Sequence, residues 1–380
     1  MVFLGRILDG ITAGNLSTAQ AYISDHTKPE NRAKAFGVIG VAFGLGFMVG
    51  PALGAELGKH GLHLPFIAAA SLSALSMLAT YTLLPKGGPV VEPAKDAAAL
   101  PGGKRPSAFD VATYTEYFRR PGLAALYGQF FLFTFAFSCF TSGMALFAER
   151  RFYAERDMKR VGETCTFTPE MDLDPRSAPK GYVLADGKRL DDGQWRVIDK
   201  QKLELTGPAC GSMSATTKVK AYVPWGVREV GLLFTYAGLL GILLQGGLIG
   251  RLVKKLGEVK LALIGFATAA IGYAMLGFAE TVAMLIVVAT VNGFGNGVLR
   301  PVLTSRITQV VGRHEQGVAL GISGSLSSLA MTMAPPTGGT MLTNGWTTQW
   351  AIVSAVAATL GLLAAFSAGT GATPELSSDA

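Results

Sequence analysis

Nine stretches of this chain are apolar for long enough to cross a lipid bilayer, and no other feature restricts its fold as strongly. They run over 1–23, 35–57, 64–84, 123–147, 229–250, 259–278, 281–300, 316–341 and 346–368. The hydrocarbon layer is about 30 Å thick, so about 20 apolar residues in helical form span it. No water inside that layer satisfies backbone N–H and C=O groups, so each run must be a helix. Only 16% of the residues are charged, against about a quarter in a soluble domain, and most of those charges fall between the runs. A large soluble helical core does not explain so many near-uncharged runs of this length. The first run is no secretory signal, because Arg6 and Asp9 interrupt it and no small-residue cleavage site follows. The expected class is an all-α, multi-pass membrane protein.

The net charge of +7 invites a nucleic-acid reading, but its distribution argues otherwise. Connecting segments alternate between basic and non-basic. One set is 24–34 (Lys28, Arg32, Lys34), 85–122 (Lys86, Lys95, Lys104, Arg105, Arg119, Arg120), 251–260 (Arg251, Lys254, Lys255, Lys260) and 300–315 (Arg300, Arg306, Arg313). The other set, 58–63, 279–280 and 342–345, holds Lys59 alone. Lysine and arginine accumulate on the cytoplasmic side of spans, so the first set is assigned inside. Nine spans then leave Met1 outside and the C-terminus inside. The bilayer, not nucleic acid, is the expected macromolecular partner.

Segment 85–122 carries Pro85, Pro89, Pro93, Pro101 and Pro106 and reads as a cytoplasmic linker between two helical bundles. Its end, around 107–120, suits a short amphipathic helix. Segment 151–227 is polar, with turn dipeptides Asp186-Gly187 and Asp192-Gly193 beside the apolar stretches Tyr182 to Leu184 and Trp195 to Ile198. It reads as a small β-meander on the outside. Cys165 and Cys210 both lie in it. An oxidising exterior permits a disulfide between them, although two thiols in one small domain can equally stay free. His26, His60, His63 and His314 sit in separate loop ends without ligand spacing, so no metal site is expected. Nor is there a nucleophile elbow or a phosphate-binding Gly-Lys loop. Neither an enzyme nor a cofactor is expected.

The chain also repeats itself. At an offset of 284 residues Gly37 meets Gly321, Gly40 meets Gly324, Pro51 meets Pro335 and Gly54 meets Gly338. Gly46 and Gly50 meet Ala330 and Ala334, and Phe66 meets Trp350. Without the 151–227 insertion the offset is roughly the length of six spans with their connections. The repeat unit is therefore six helices, present once in full and once as its last half. Parallel repeats of this kind characterise transporters.

Gly46, Gly50 and Gly54 recur every four residues with Pro51 beside them. Small residues at that spacing let helix backbones approach closely, and Pro51 removes one backbone hydrogen bond. The face is either an interface that rocks and seals or static packing. The motif Gly46-x-x-x-Gly50-Pro51-x-x-Gly54 resembles the fifth-helix antiporter motif of the major facilitator superfamily, with Ala55 where a second glycine is usual. Arg6 to Gly10 and Gly14 resemble that family's fourth-helix motif. The run Asn15 to Tyr22, then Asp25, Pro29, Arg32 and Gly37, is similar to the tetracycline-resistance-like drug:proton antiporters. Gly250, Arg251, Lys255 and Gly257 resemble the basic loop after the family's eighth helix.

This resemblance implies a major facilitator fold lacking its first three helices, with nine transmembrane helices and a small extracytoplasmic insertion of β structure. Residues 1–84 would be helices four to six, 85–122 the linker, 123–369 the C-terminal six-helix bundle, 151–227 the insertion and 370–380 a cytoplasmic tail. The start at helix four is expected to reflect a misplaced start codon or a fragmentary gene, a working nine-helix protein being the alternative. The implied function is proton-coupled efflux of a drug-like or amphipathic small molecule across the bacterial inner membrane by alternating access. A metabolite facilitator or importer is the alternative, as is a membrane anchor whose 151–227 domain binds an extracytoplasmic partner.

Candidate site residues follow from these readings. Arg6 and Asp9 share a helix face at i,i+3, and a charge inside a span costs about 2.5–3.5 kcal/mol on insertion scales. The resemblance gives the arginine a part in proton coupling; a structural ion pair is the other reading. Gly10, Gly14, Pro335 and Gly338 join the helix-packing and gating set. Asn15, Gln20, Gln129, Ser138, Asn292 and Asn296 are candidate substrate contacts, with packing hydrogen bonds as the competing role. Asn292, Asn296 and Arg300 form one polar stripe at a spacing of four, within which Arg300 is expected to anchor the cytoplasmic end. Gln245 is expected to join helices rather than meet substrate.

Overall fold

A computed structural model describes residues 15–61, 63–83, 111–120, 122–161, 165–169, 182–186, 188–191, 193–199, 202–206, 210, 217–312 and 315–370. Arg6, Asp9, Gly10 and Gly14, most of the 85–122 linker and the tail beyond Thr370 lie outside the described residues, as do the side chains of Asn15 and Pro51.

Among the described residues eight helices are long and apolar enough to cross a membrane. The chain runs through α1 (Asn15–Asp25), α2 (Arg32–His60), α3 (Leu64–Leu83), α4 (Val111–Arg119) and α5 (Leu123–Arg151). Beyond a β-sheet follow α6 (Val227–Leu243), a π-helical turn (Leu244–Leu248), α7 (Ile249–Leu256), α8 (Glu258–Gly277), α9 (Val282–Val310), α10 (Gln316–Thr343) and α11 (Thr347–Thr370). The stretch Arg228–Leu256, crossing α6, the π turn and α7, forms one span. Helix α9 runs ten residues past the expected end of its span. Polar residues there stay helical because their hydroxyls bond within the chain: Thr304 to the Arg300 carbonyl at 2.8 Å and Thr308 to that of Ser305 at 2.8 Å. Helix α10 satisfies its hydroxyls in the same way, with Ser323, Ser327, Thr332 and Thr337 each donating to the carbonyl four residues earlier. Such bonds let a hydroxyl-rich helix lie in hydrocarbon.

Small residues set how closely the helices approach. A Cβ on Gly295 of α9 would sit 2.7 Å from the Ala269 backbone nitrogen and 2.8 Å from the Gly265 carbonyl oxygen of α8. These helices therefore touch backbone to backbone. Helix α11 is pinned through Trp350, which is fully buried. Its indole N–H donates to the Cys139 carbonyl at 3.2 Å, and Gly143 of α5 and Gly338 of α10 leave room for its ring. Its repeat mate Phe66, on α3, is 76% exposed. The two positions share a place in the repeat but not a setting, since α5 and α10 enclose Trp350 whereas α3 packs chiefly on α2.

The connection between α5 and α6 folds as an antiparallel sheet of β1 (Tyr153–Arg160), β2 (Thr166–Pro169), β3 (Tyr182–Ala185), β4 (Lys188–Arg189), β5 (Trp195–Asp199), β6 (Lys202–Leu205) and β7 (Val219–Pro224). Its strand order is β4-β3-β7-β1-β2-β6-β5. The meander reading is corrected here: the last strand returns to pair with the first, along Tyr153↔Pro224 to Met158↔Val219. That closure brings the two ends of the insertion together, which α5 and α6 require. Asp186, at a φ of 45°, turns β3 into β4 as the Asp-Gly pair suggests. The second pair, Asp192-Gly193, joins strands at opposite edges of the sheet. Met158, Phe167, Val183, Leu203, Leu205, Val219 and Ala221 form an apolar core on one face. Trp225 packs against Phe152 with ring centroids 5.2 Å apart, and Arg156 pairs with Glu229, fastening sheet to helices.

The structure joins Cys165 to Cys210 with Cα atoms 5.7 Å apart across a sequence separation of 45. A loop of that length is worth about 4 kcal/mol in chain entropy. Reduction, or Cys165→Ser, is expected to make the 151–227 region cleavable at protease concentrations that leave the oxidised protein intact. Equal cleavage before and after reduction would show that the bond stabilises nothing.

The helices sort the connecting segments into two ends. At one end Arg32 donates to the Thr308 carbonyl at 3.0 Å and Ser24 donates to Gln316. There too Arg120 grips Glu315 at 2.8 and 2.9 Å, and Ser305 donates to Glu258 at 2.7 Å. All four basic segments therefore have residues at this end. At the other end lie the sheet and the non-basic connections, where Arg151 donates to the Ala279 carbonyl at 3.1 Å and Arg150 to that of Thr343 at 3.3 Å.

Candidate functional site

A cavity of about 400 Å³ lies between α2 on one side and α5, α6, α9 and α10 on the other. Phe133, Phe137 and Phe140 of α5, Phe234 of α6 and Phe43 of α2 supply its apolar walls. Spacings of three and four residues set the α5 phenylalanines on one helix face, with Phe133 and Phe137 stacked at 6.2 Å.

Its polar groups come mainly from α9 and the π turn. Asn292 is 2% exposed and neither amide atom has a partner among the described residues. It fits because Gly272 of α8 has no Cβ, which would stand 2.7 Å from the Asn292 Oδ1. Asn296 accepts a hydrogen bond from Tyr273 at 3.0 Å. Arg300 sits over the Phe43 ring, 5.0 Å from its centroid. Gln245 enters from the π turn through the notch left by Gly40, and its Oε1 is likewise unpartnered. Buried polar atoms without partners cost about 1–3 kcal/mol each and point to a place where water or ligand completes them.

Of the expected substrate contacts, Ser138, Asn292 and Asn296 line the cavity. Gln129 does not: it is buried about one turn before Phe133 on α5, where its amide donates to the Ala364 carbonyl at 3.4 Å. Gln20 is buried on α1 away from the lining residues. One other expectation is corrected. Arg300 lines the cavity rather than anchoring a helix end, because α9 continues to Val310 and leaves it well inside the helix. Gln245 packs into the Gly40 notch of α2, as a residue joining helices does, and lines the cavity as well. The aromatic wall went unread in the sequence, although the Phe133, Phe137, Phe140 spacing was its signal.

The seam between α2 and α6 runs along this cavity. A Cβ on Gly44 would lie 2.9 Å from the Gly238 carbonyl oxygen, and one on Gly238 would lie 2.5 Å from that of Gly44. A Cβ on Gly37 would lie 3.0 Å from the Gln245 carbonyl oxygen. The close approach is therefore made by Gly37, Gly40 and Gly44. A Cβ on Gly46, Gly50 or Gly54 would meet no neighbouring atom within 4 Å among the described residues. Contact between the two helices continues past Gly44, where the Thr235 hydroxyl donates to the Met48 carbonyl at 3.0 Å. At the basic end α4 is clamped to the head of α10 through Arg120, Glu315 and Tyr117, whose hydroxyl lies 3.4 Å from the Glu315 carboxylate. Burial, with that carboxylate beside it, pushes the Tyr117 phenol up to about 12.

Residues 1–155 and 205–378 match the family model described as Major Facilitator Superfamily, and the unmatched 156–204 falls within the sheet. The tetracycline resistance protein, class C, of Escherichia coli is 25% identical over 341 residues, covering 88% of this chain and 64% of its own length. Multidrug resistance protein 2 of Bacillus subtilis (strain 168) is 21% identical over 342 residues, covering 89% and 65%. The chain thus spans a little under two thirds of these relatives. The crystal structure of the human organic anion transporter MFSD10 (TETRAN) superposes with a TM-score of 0.61 at 20% identity, over 96% of this chain and 70% of that one. With a family match over most of the chain and the fold in agreement, this multi-pass protein belongs to the major facilitator superfamily, a family of transmembrane transporters rather than enzymes.

Proposed function

We propose that the chain works in proton-coupled efflux of amphipathic small molecules across the bacterial inner membrane, by alternating access. The observation that carries this reading is the cavity: α2 walls it from one half, and α5, α6, α9 and α10 from the other. A site held between two bodies can be exposed to each side in turn by rocking one against the other. The bacterial relatives named for tetracycline and multidrug resistance favour export of drug-like molecules. The membrane potential offers about 2.3 kcal/mol per charge per 100 mV to drive it.

The test is proton movement in sealed vesicles that carry the protein and an internal pH dye. Adding a transported compound is expected to release or admit protons, and Asp9→Asn is expected to abolish uphill transport. A compound panel that moves no protons removes the coupling claim. Downhill flux unchanged in Asp9→Asn, with no uphill phase in the parent, identifies a facilitator instead.

A further inference from the structure

Among the described residues, the cavity contains a cation with no anion beside it. Arg300 is inside a membrane span, and no carboxylate of the described residues pairs with it or lines the cavity. Among the described residues its guanidinium lies over the Phe43 ring, 5.0 Å from the centroid. Stacking on an aromatic ring leaves the edge of the guanidinium, with its fork of N–H donors, free to point elsewhere. Two turns along the same helix face Asn292 presents an amide without partners, 2% exposed. Phe133, Phe137 and Phe140 flank this polar stripe.

A charge held at depth in the membrane is normally paired, because leaving it unpaired is expensive. A ligand that brings the counter-charge relieves that cost, and a fork of parallel donors matches carboxylate and sulfonate oxygens better than any neutral group. The Asn292 N–H groups suit a second acceptor on the same molecule, and the phenylalanines suit a flat apolar body. A volume of about 400 Å³ holds a compact one- or two-ring molecule. We propose that the transported molecules are aromatic organic anions, and that Arg300 is the residue that selects them by charge. This rests on the cavity being the substrate site of the transporter proposed above.

The experiment measures binding by the purified full chain in neutral detergent, using isothermal titration. The probes are naphthalene-2-sulfonate, the neutral 2-naphthamide and the cationic (2-naphthylmethyl)trimethylammonium. The sulfonate is expected to bind about tenfold or more tighter than the amide, with the ammonium weakest. Arg300→Gln is expected to weaken the sulfonate about 10- to 100-fold while changing the amide by no more than about twofold. Arg300→Lys should fall between, since it keeps the charge but not the fork. Equal binding of the three probes overturns the proposal, as does an equal loss of sulfonate and amide in Arg300→Gln. Should Arg300→Gln not elute as a folded species, the parent ranking and Arg300→Lys decide. The two readings fail separately. Anion-selective binding without flux removes the transport reading and leaves the subsite. Proton-coupled flux with charge-blind binding does the reverse.

Discussion

Trp350→Ala is expected to destabilise the folded helices by about 3–5 kcal/mol, the range for removing a large buried aromatic side chain. Trp350 is fully buried and stands where α5, α10 and α11 meet. Gly143 and Gly338 face it from two helices, so the alanine leaves a hole that neither neighbour has a side chain to fill. The indole bond to the Cys139 carbonyl, 3.2 Å, goes as well. In detergent the apparent Tm should fall by on the order of 10 °C. Trp350→Phe separates the contributions, since it keeps most of the ring and loses the hydrogen bond. A Tm for Trp350→Ala within a degree or two of the parent would mean that the three helices do not depend on this contact.

The second large effect is functional. Gly238→Leu should reduce transport about tenfold or more, with little change in the melting of the α5 and α8–α11 bundle. Even a single Cβ at this position would come within 2.5 Å of the Gly44 carbonyl oxygen. The obstacle is backbone, so no rotamer relieves it and the helices must part. Overpacking costs about 1–3 kcal/mol, which shifts a two-state balance by roughly 5- to 150-fold. The balance disturbed is between closed and open forms of this seam. A thiol at Ser24, which donates to Gln316 where α1 meets α10 at the basic end, reports whether the parting reaches that end. The background is low, because Cys139 is buried and Cys165 and Cys210 are joined. Ser24→Cys should label faster in the Gly238→Leu background. Unchanged labelling together with a parental transport rate would show that these backbones are not in contact.

Much of the site was legible because a helix has a fixed period. Asn292, Asn296 and Arg300 recur every four residues in an apolar run, and the structure puts all three on the cavity wall. What the period did not disclose is how far α9 extends. The polar residues after Arg300 looked like a connection, yet Thr304 and Thr308 bond back into the helix and carry it to Val310. That extension turns Arg300 from an end residue into a cavity residue. Gln129 failed for a related reason: it is polar and central in its run, but it sits on the side of α5 that meets α11.

The sequence by itself determined the positions of the eight apolar spans found among the described residues, the basic and non-basic sorting of their connections, and the β character of 151–227. Each follows from local facts: the thickness of hydrocarbon, the cost of placing charge in it, and turn chemistry. Which face of each helix meets a neighbour was decided by tertiary structure alone. In a soluble protein the apolar face marks the buried one. Here lipid is as apolar as a leucine side chain, so all faces of a span look alike in the sequence. Gly46, Gly50 and Gly54 and the neighbouring Gly37, Gly40 and Gly44 carry the same kind of pattern, and only the position of Gly238 and Gln245 across the seam selects the second set.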